Sequence, residues 1–79
     1  MKTLKDLKVG ESASVVRLNS TGATRRRLLD MGLTPRTTVT LQKVAPMGDP
    51  IEIRVRGYEL TLRVEDARNI QVKAGGGTA

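Results

Sequence analysis

The sequence predicts a mainly β fold, a small barrel of about five strands with one short α-helix. Two neighbouring segments alternate strictly between apolar and polar residues, which is typical of half-buried strands. One arginine-rich segment carries the start and stop signals of a helix. The 79 residues provide for one small domain. Because a flat sheet of short strands would leave unpaired edges, we expect the sheet to curl into a barrel.

The clearest strands are predicted at residues 51–56 and 58–64, with Gly57 marking a tight hairpin between them. Two registers keep the apolar faces matched. A loop at Gly57–Tyr58 gives two opposite-charge cross-strand pairs, whereas a loop at Arg56–Gly57 gives one. Because each such pair contributes roughly 0.2–1 kcal/mol, we expect the first register.

Three further strands are predicted at residues 11–18, 37–46 and 70–73, with a single helical turn at 65–69. The second of these needs a bulge near Gln42–Lys43 to keep its apolar side chains on one face. Short strands that are polar on one face favour an SH3-like or OB-like barrel.

The domain is predicted to occupy residues 1–73, and the glycine-rich residues 74–79 are predicted to form a flexible tail because they offer nothing to bury. The strand phases and the helical wheel together predict one apolar core. Its expected members are Leu28, Met31, Val39, Leu41, Ile51, Ile53, Val55, Leu60 and Leu62.

A helix of about three turns is predicted at residues 22–31. Gly32 suits the left-handed position just past its end, and Pro35 prevents continuation. In this arrangement Leu28 and Leu33 are the pair that touch in a Schellman motif. We therefore expect a positive φ at Gly32 and contact between these two leucines.

Three consecutive arginines, Arg25, Arg26 and Arg27, lie early in this helix. On a helical wheel Arg26 and Arg27 face away from the apolar side, while Arg25 lies at its border. The run is interpreted mainly as a solvated helix face. Because cations in the first turn oppose the helix dipole, a second hypothesis is that this surface contacts a carboxylate-rich partner.

Composition excludes several classes of function. The chain has no His, Cys, Phe or Trp and a formal charge of +6 from 14 basic and 8 acidic residues. It therefore lacks the side chains that form disulfides, thiolate or imidazole metal sites, and catalytic centres based on Cys or His. We therefore expect that the protein is not an enzyme. Tyr58 is its single aromatic residue, too few for a barrel that stacks bases, so nucleic acid is not the expected partner. With no signal peptide or membrane span, a cytoplasmic location is expected.

Three motifs resemble the FeoA family, ferrous-iron transport protein A. They are "RRLLDMGLTP" (26–35), "VAPMGDPIEIRVRGYELTLR" (44–63) and "EDARNIQV" (65–72). The resemblance implies an SH3-like barrel and a cytosolic accessory role beside FeoB, a ferrous-iron permease with a cytosolic GTP-binding domain. It also implies transition-metal binding; without His or Cys this reduces to weak binding of ferrous ion, and no cofactor is required.

The sequence departs from the family pattern at Arg36, where members usually have Gly after the proline of "LTP". Because an arginine resists positive φ, the Pro35–Arg36 pair predicts a type I turn instead of type II.

The expected function is a non-enzymatic adaptor that contacts the cytosolic part of the permease and meets the membrane only through it. Met47 and Tyr58 are the candidate contact residues, because exposed Met suits adaptable protein contacts. Arg25, Arg26 and Arg27 are the candidates for electrostatic steering. A basic nucleic-acid-binding barrel and a stand-alone metal-responsive regulatory domain remain the alternatives.

Overall fold

The computed structural model describes residues 2–74. A short 3-10 helix precedes five strands, a nine-residue helix and a four-residue helix. Their bounds are Leu4–Asp6 for the 3-10 helix, Ser12–Leu18 (β1), Gly22–Asp30 (α1), Thr38–Val44 (β2), Ile51–Val55 (β3), Tyr58–Leu62 (β4), Val64–Ala67 (α2) and Ile70–Ala74 (β5). The predicted mainly β fold is confirmed. Residues 75–79 of the predicted tail lie outside the described residues.

All five strands form one antiparallel sheet in the order β4-β3-β2-β1-β5. The predicted bulge in β2 is present between Leu41 and Lys43. The sheet keeps β4 and β5 as its outer strands. The edge of β5 is covered in part by the N-terminal segment, where Val72 donates its backbone N–H to the Lys2 carbonyl oxygen at 2.9 Å. No helix in residues 2–74 has the length and apolar character needed to cross a membrane.

The core lies under the inward face of the sheet and is built from aliphatic side chains alone. Of the predicted members, Met31 and Leu60 are only half-buried against it, and the others are buried. Met31 lies beyond the end of α1, and Leu60 belongs to an outer strand with one neighbour. Buried residues that the prediction left out of its core list are Leu4, Leu7, Ala13, Val15, Leu18, Leu33, Ala67, Ile70 and Val72.

The end of α1 is a complete Schellman motif, as predicted. Gly32 has φ 98°. Its N–H donates to the Leu29 carbonyl oxygen at 3.0 Å, and the Leu33 N–H donates to the Leu28 carbonyl oxygen at 3.1 Å. Leu28 and Leu33 are both fully buried. The motif directs the chain from the helix into the turn before β2.

The predicted register of the β3–β4 hairpin is wrong. Val55 is opposite Tyr58, and Arg54 is opposite Glu59, so the two loop residues are Arg56 and Gly57. These two have φ 51° and 87°. Positive φ at both loop residues is the type I′ geometry that matches the right-handed twist of the strands. The fit between turn twist and strand twist therefore outweighs the one additional cross-strand charge pair that the predicted register would have made.

The prediction for Arg36 is also wrong. Its φ is 75°, which at the third position of a turn indicates type II. The turn closes through the Thr37 N–H, which donates to the Thr34 carbonyl oxygen at 3.1 Å. It is held to β1 because the Arg36 N–H donates to the Val15 carbonyl oxygen at 2.7 Å and the Val15 N–H donates to the Thr37 carbonyl oxygen at 2.8 Å. These tertiary hydrogen bonds outweigh the preference of arginine for negative φ.

Candidate functional site

The tip of the β3–β4 hairpin packs on the C-terminal end of α1. The Tyr58 hydroxyl donates to the Met31 carbonyl oxygen at 3.1 Å. A Cβ atom placed on Gly32 would lie 3.0 Å from that hydroxyl and 3.6 Å from Arg56 Cδ. The glycine that ends the helix is therefore also the position that lets the hairpin tip approach it.

Arg56 reaches from this tip to the turn before β2. Its Nη2 donates to Thr34 Oγ1 at 3.2 Å and to Thr37 Oγ1 at 3.1 Å. The two hydroxyls are themselves 2.8 Å apart. An open depression of about 410 Å³ lies here, and we call it the arginine depression. It is lined by Pro35, Arg36, Thr37, Thr38 and Arg56.

The loop at the other end of β3, residues 45–50, carries the most exposed large apolar side chain among the described residues. Met47 is 92% exposed. The loop is closed by two backbone hydrogen bonds, from the Gly48 N–H to the Ala45 carbonyl oxygen at 2.7 Å and from the Ala45 N–H to the Pro50 carbonyl oxygen at 3.0 Å. We call this segment the Met47 loop. A small, mainly apolar pocket of about 180 Å³ adjoins it, lined by Lys43, Val44, Ala45, Pro46, Pro50, Ile51, Glu52 and Thr61.

The structure does not bring Met47 and Tyr58 into one groove. β3 separates them, and its five residues span roughly 16 Å. Tyr58 is 47% exposed and has its hydroxyl engaged. The two candidate contact residues therefore belong to different surfaces, one at each end of the strand.

The arginine run of α1 divides into two parts. Arg25 and Arg26 are exposed. Arg27 Nη2 lies 3.1 Å from Asp66 Oδ2, and this ion pair joins α1 to α2. Asp66 is only 8% exposed, so its carboxylate depends on that partner. Arg27 therefore has a structural role, and Arg25 and Arg26 remain as the candidates for steering.

Residues 2–74 contain no cluster of three or more acidic side chains that could hold a metal ion. Two carboxyl groups near the N-terminus have pKa values below their ordinary range. The Thr3 backbone N–H lowers the pKa of Asp6, and the Lys2 side chain lowers the pKa of Glu11. Both hydrogen bonds favour the ionised carboxylate, which is the opposite of what a general acid at neutral pH requires.

The family model described as the FeoA domain matches residues 2–74. The chain belongs to the FeoA family. A curated relative is the Fe(2+) transport protein A/Fe(2+) transporter FeoB fusion protein of Porphyromonas gingivalis, 39% identical over 70 residues. The match covers 89% of this chain and 8% of that relative, so the chain spans less than a tenth of its length.

Solved FeoA structures are similar along most of the chain. The iron(II) transport protein A of Clostridium thermocellum is 34% identical with a TM-score of 0.91; the match covers 96% of this chain and 47% of that one. The Stenotrophomonas maltophilia FeoA complexed with zinc, described as a prokaryotic SH3 domain protein, is 26% identical with a TM-score of 0.82. That match covers 92% and 91% of the two chains. The predicted SH3-like fold is confirmed.

The sequence did not single out Arg36 and Arg56, which the structure places together at the arginine depression. A signal was present, because each arginine occupies a turn position that commonly takes Gly: Arg36 follows a turn proline, and Arg56 precedes Gly57 in a two-residue hairpin loop. The predicted register placed Arg56 in a strand, whereas it lies in the hairpin loop. The predicted type I turn implied a negative φ at Arg36, whereas the observed φ is 75°.

Proposed function

We propose that this chain is a small, non-enzymatic accessory protein of ferrous-iron uptake that binds the cytosolic part of a FeoB-type permease. The observation that carries this proposal is the fusion protein of Porphyromonas gingivalis, in which an A component and FeoB form one polypeptide. Covalent linkage raises the effective concentration of one module for the other, which is useful when the two modules bind each other.

The Met47 loop is the proposed contact surface. A flexible apolar side chain that is 92% exposed contributes nothing to the core and suits a contact that adapts to its partner. The adjoining pocket adds the apolar side chains of Val44, Pro46 and Pro50 to the surface that a partner would cover. Exposed Arg25 and Arg26 would raise the association rate towards an acidic partner.

This function places the chain in the cytoplasm, where it meets the membrane through the permease alone. It requires no cofactor. Ferrous ion is the cargo of the permease, and its contact with this chain would be limited to weak binding at surface carboxylates, because oxygen donors without a closed cluster hold divalent ions weakly.

The test is binding of the purified chain to the purified cytosolic part of its permease, with and without GTP. Met47→Asp should weaken binding about tenfold or more, because it places a charge where an apolar side chain is buried in the complex. Met47→Leu is the matched control and should retain binding. An Arg25→Gln/Arg26→Gln variant should slow association with little effect on dissociation. Arg27 is left intact because it holds Asp66.

Two results would count against this function in different ways. Absence of binding to the cytosolic part, together with absence of retention on membranes that contain the whole permease, would disprove the accessory role. Binding that is equally strong in wild type and in Met47→Asp would leave the role standing and exclude the Met47 loop as its surface.

A further inference from the structure

We infer that the arginine depression binds carboxylates of an acidic segment on a protein partner. This inference deepens the proposed function by naming a second surface and the chemistry that it recognises. The identification of the partner as the permease rests on the proposed function. The depression lies at the end of β3 away from the Met47 loop, so the two surfaces can be tested separately.

The first observation is that both arginines occupy backbone positions unfavourable to them. Arg36 has φ 75° and Arg56 has φ 51°. Gly would adopt both conformations without strain. The two side chains nevertheless line one depression, although they lie on different turns. Backbone strain that converges on one place is a reason to look for a function there.

The second observation is that one of the two guanidinium groups is held in place. Nη2 of Arg56 donates to Thr34 Oγ1 and to Thr37 Oγ1, and Thr37 is only 8% exposed at the base of the depression. Both hydrogen bonds are donated by Nη2 of Arg56. A guanidinium has five N–H donors in a rigid plane, so Nε and Nη1 retain donors for a ligand. Because both two-point edges of a guanidinium include Nη2, a carboxylate here would accept single charge-assisted hydrogen bonds from Nε or from Nη1.

The third observation is that the described part of the chain supplies no anion of its own to the depression. The ion pairs within residues 2–74 join Lys2 to Glu11 and Arg27 to Asp66. The depression is lined by two arginines, two threonines and a proline, without an acidic residue. The depression therefore has two arginines and no acidic lining residue, and an external carboxylate would supply the missing opposite charge.

The sheet extends this positive charge sideways. Lys73 on β5 is opposite Ser14 on β1, and Ser14 is opposite Thr38 on β2, which itself lines the depression. The outward face along this row therefore has a cation at one end, arginines at the other and hydroxyl groups between them. An extended acidic segment could lie across such a row, with its carboxylates on the cations and its backbone near the hydroxyls.

The composition of this surface favours protein over nucleic acid. Tyr58 lies beside Arg56 at the hairpin tip, and Tyr and Arg are enriched among the residues that dominate binding at protein interfaces. A single-strand binder stacks successive bases on several aromatic rings. This chain has one aromatic residue, and its hydroxyl is committed to the Met31 carbonyl oxygen.

The experiment measures fluorescence anisotropy of a labelled, capped deca-glutamate peptide with wild type, Arg36→Gly and Arg68→Gln. Arg36→Gly removes the guanidinium and also relieves the positive φ, so its melting temperature should stay equal or rise, by up to roughly 4 °C. Loss of binding in this variant cannot then be attributed to unfolding. Arg68→Gln is the control for net charge, because Arg68 is an exposed cation at the end of α2.

We expect Arg36→Gly to weaken peptide binding about fivefold or more, and Arg68→Gln to weaken it by less than about twofold. Equal weakening in both variants would show general charge attraction and overturn the inference, as would unchanged binding in Arg36→Gly. A labelled deca-thymidine strand is measured in parallel. Tighter, Arg36-dependent binding of that strand would overturn the inference in favour of nucleic acid.

The same variants are then measured with the cytosolic part of the permease. Arg36-dependent binding of both peptide and permease would support the site and the proposed function together. Arg36-dependent binding of the peptide, with no binding of the permease by any variant, would disprove the proposed function and retain the acidic-segment site. Permease binding that Arg36→Gly leaves unchanged, with peptide binding also unchanged, would remove the site and retain the function.

Discussion

The two ends of β3 differ in how their exposed side chains contact the rest of the molecule. At one end, the hairpin tip is held to the end of α1 and the following turn by side-chain hydrogen bonds from Tyr58 and Arg56. At the other end, the Met47 loop is closed by its own backbone and attached to the start of α2, where the Val64 N–H donates to Asp49 Oδ1 at 3.0 Å. The Met47 side chain itself projects into solvent. A barrel without Phe or Trp thus fixes both ends of β3 with polar contacts, and the ends differ because Tyr58 is attached to α1 while Met47 is 92% exposed.

The largest expected effect is at the centre of the strand that joins these ends. Ile53→Ala should lower the free energy of unfolding by roughly 2–5 kcal/mol, because Ile53 is fully buried and its truncation leaves a cavity. Urea denaturation followed by circular dichroism measures this. Thr61→Ala, at an exposed position of β4, is the control, with an expected change within about 0.5 kcal/mol. A change below about 1 kcal/mol at Ile53 would contradict the packing of β3.

Gly32 and Gly48 allow a direct comparison of the two ends. Both have positive φ, 98° and 88°, so an alanine at either position carries backbone strain of about 1 kcal/mol. At Gly32 the new Cβ would also lie 3.0 Å from the Tyr58 hydroxyl, whereas at Gly48 nothing lies within 4 Å. Gly32→Ala should therefore destabilise by about 1 kcal/mol more than Gly48→Ala in urea denaturation.

Equal destabilisation by the two alanines would mean that the hairpin tip does not press on the helix end. A second check uses the Tyr58→Phe background, which removes the hydroxyl that the new methyl group meets. There the difference between Gly32→Ala and Gly48→Ala should shrink, as expected for residues in contact. An unchanged difference would exclude the Tyr58 hydroxyl as its cause.

The sequence predicts those features of the fold that depend on residues close together in the chain. The Schellman end at Gly32 was predictable because helix stop, glycine and leucine spacing are local. The β2 bulge followed from the phase of its apolar residues. Leu4 and Leu33 were missing from the predicted core because they lie outside the strands and helix on which the apolar pattern was counted.

The site itself was harder to predict, because tertiary contacts determine it. Arg36 adopts positive φ where its turn is held to Val15 by two backbone hydrogen bonds, and these bonds lie between segments about 20 residues apart in sequence. The position of Arg56 follows from a hairpin register that turn twist decides and charge pairing does not. Met47 was predicted correctly as an exposed residue because its loop has no apolar periodicity.

Tyr58→Phe isolates the hydrogen bond that holds the hairpin tip. The change keeps the ring and removes the donor to the Met31 carbonyl oxygen, so we expect a loss of roughly 0.5–1.5 kcal/mol in unfolding free energy. Amide hydrogen exchange should show faster local opening near Gly57, because the tip would lose its attachment to α1. Protection that matches wild type at the tip would show that Arg56 alone is sufficient to hold it.

The smallest expected effect on stability is at Met47. Because the side chain is 92% exposed, Met47→Asp should change the free energy of unfolding by no more than about 0.5 kcal/mol. The same substitution is expected to weaken permease binding, so a loss of binding without a loss of stability is expected at this position. Urea denaturation of Met47→Asp beside Tyr58→Phe measures the contrast. A loss in Met47→Asp as large as that in Tyr58→Phe would show that Met47 packs against the protein itself, and its exposed side chain would then no longer indicate a contact surface.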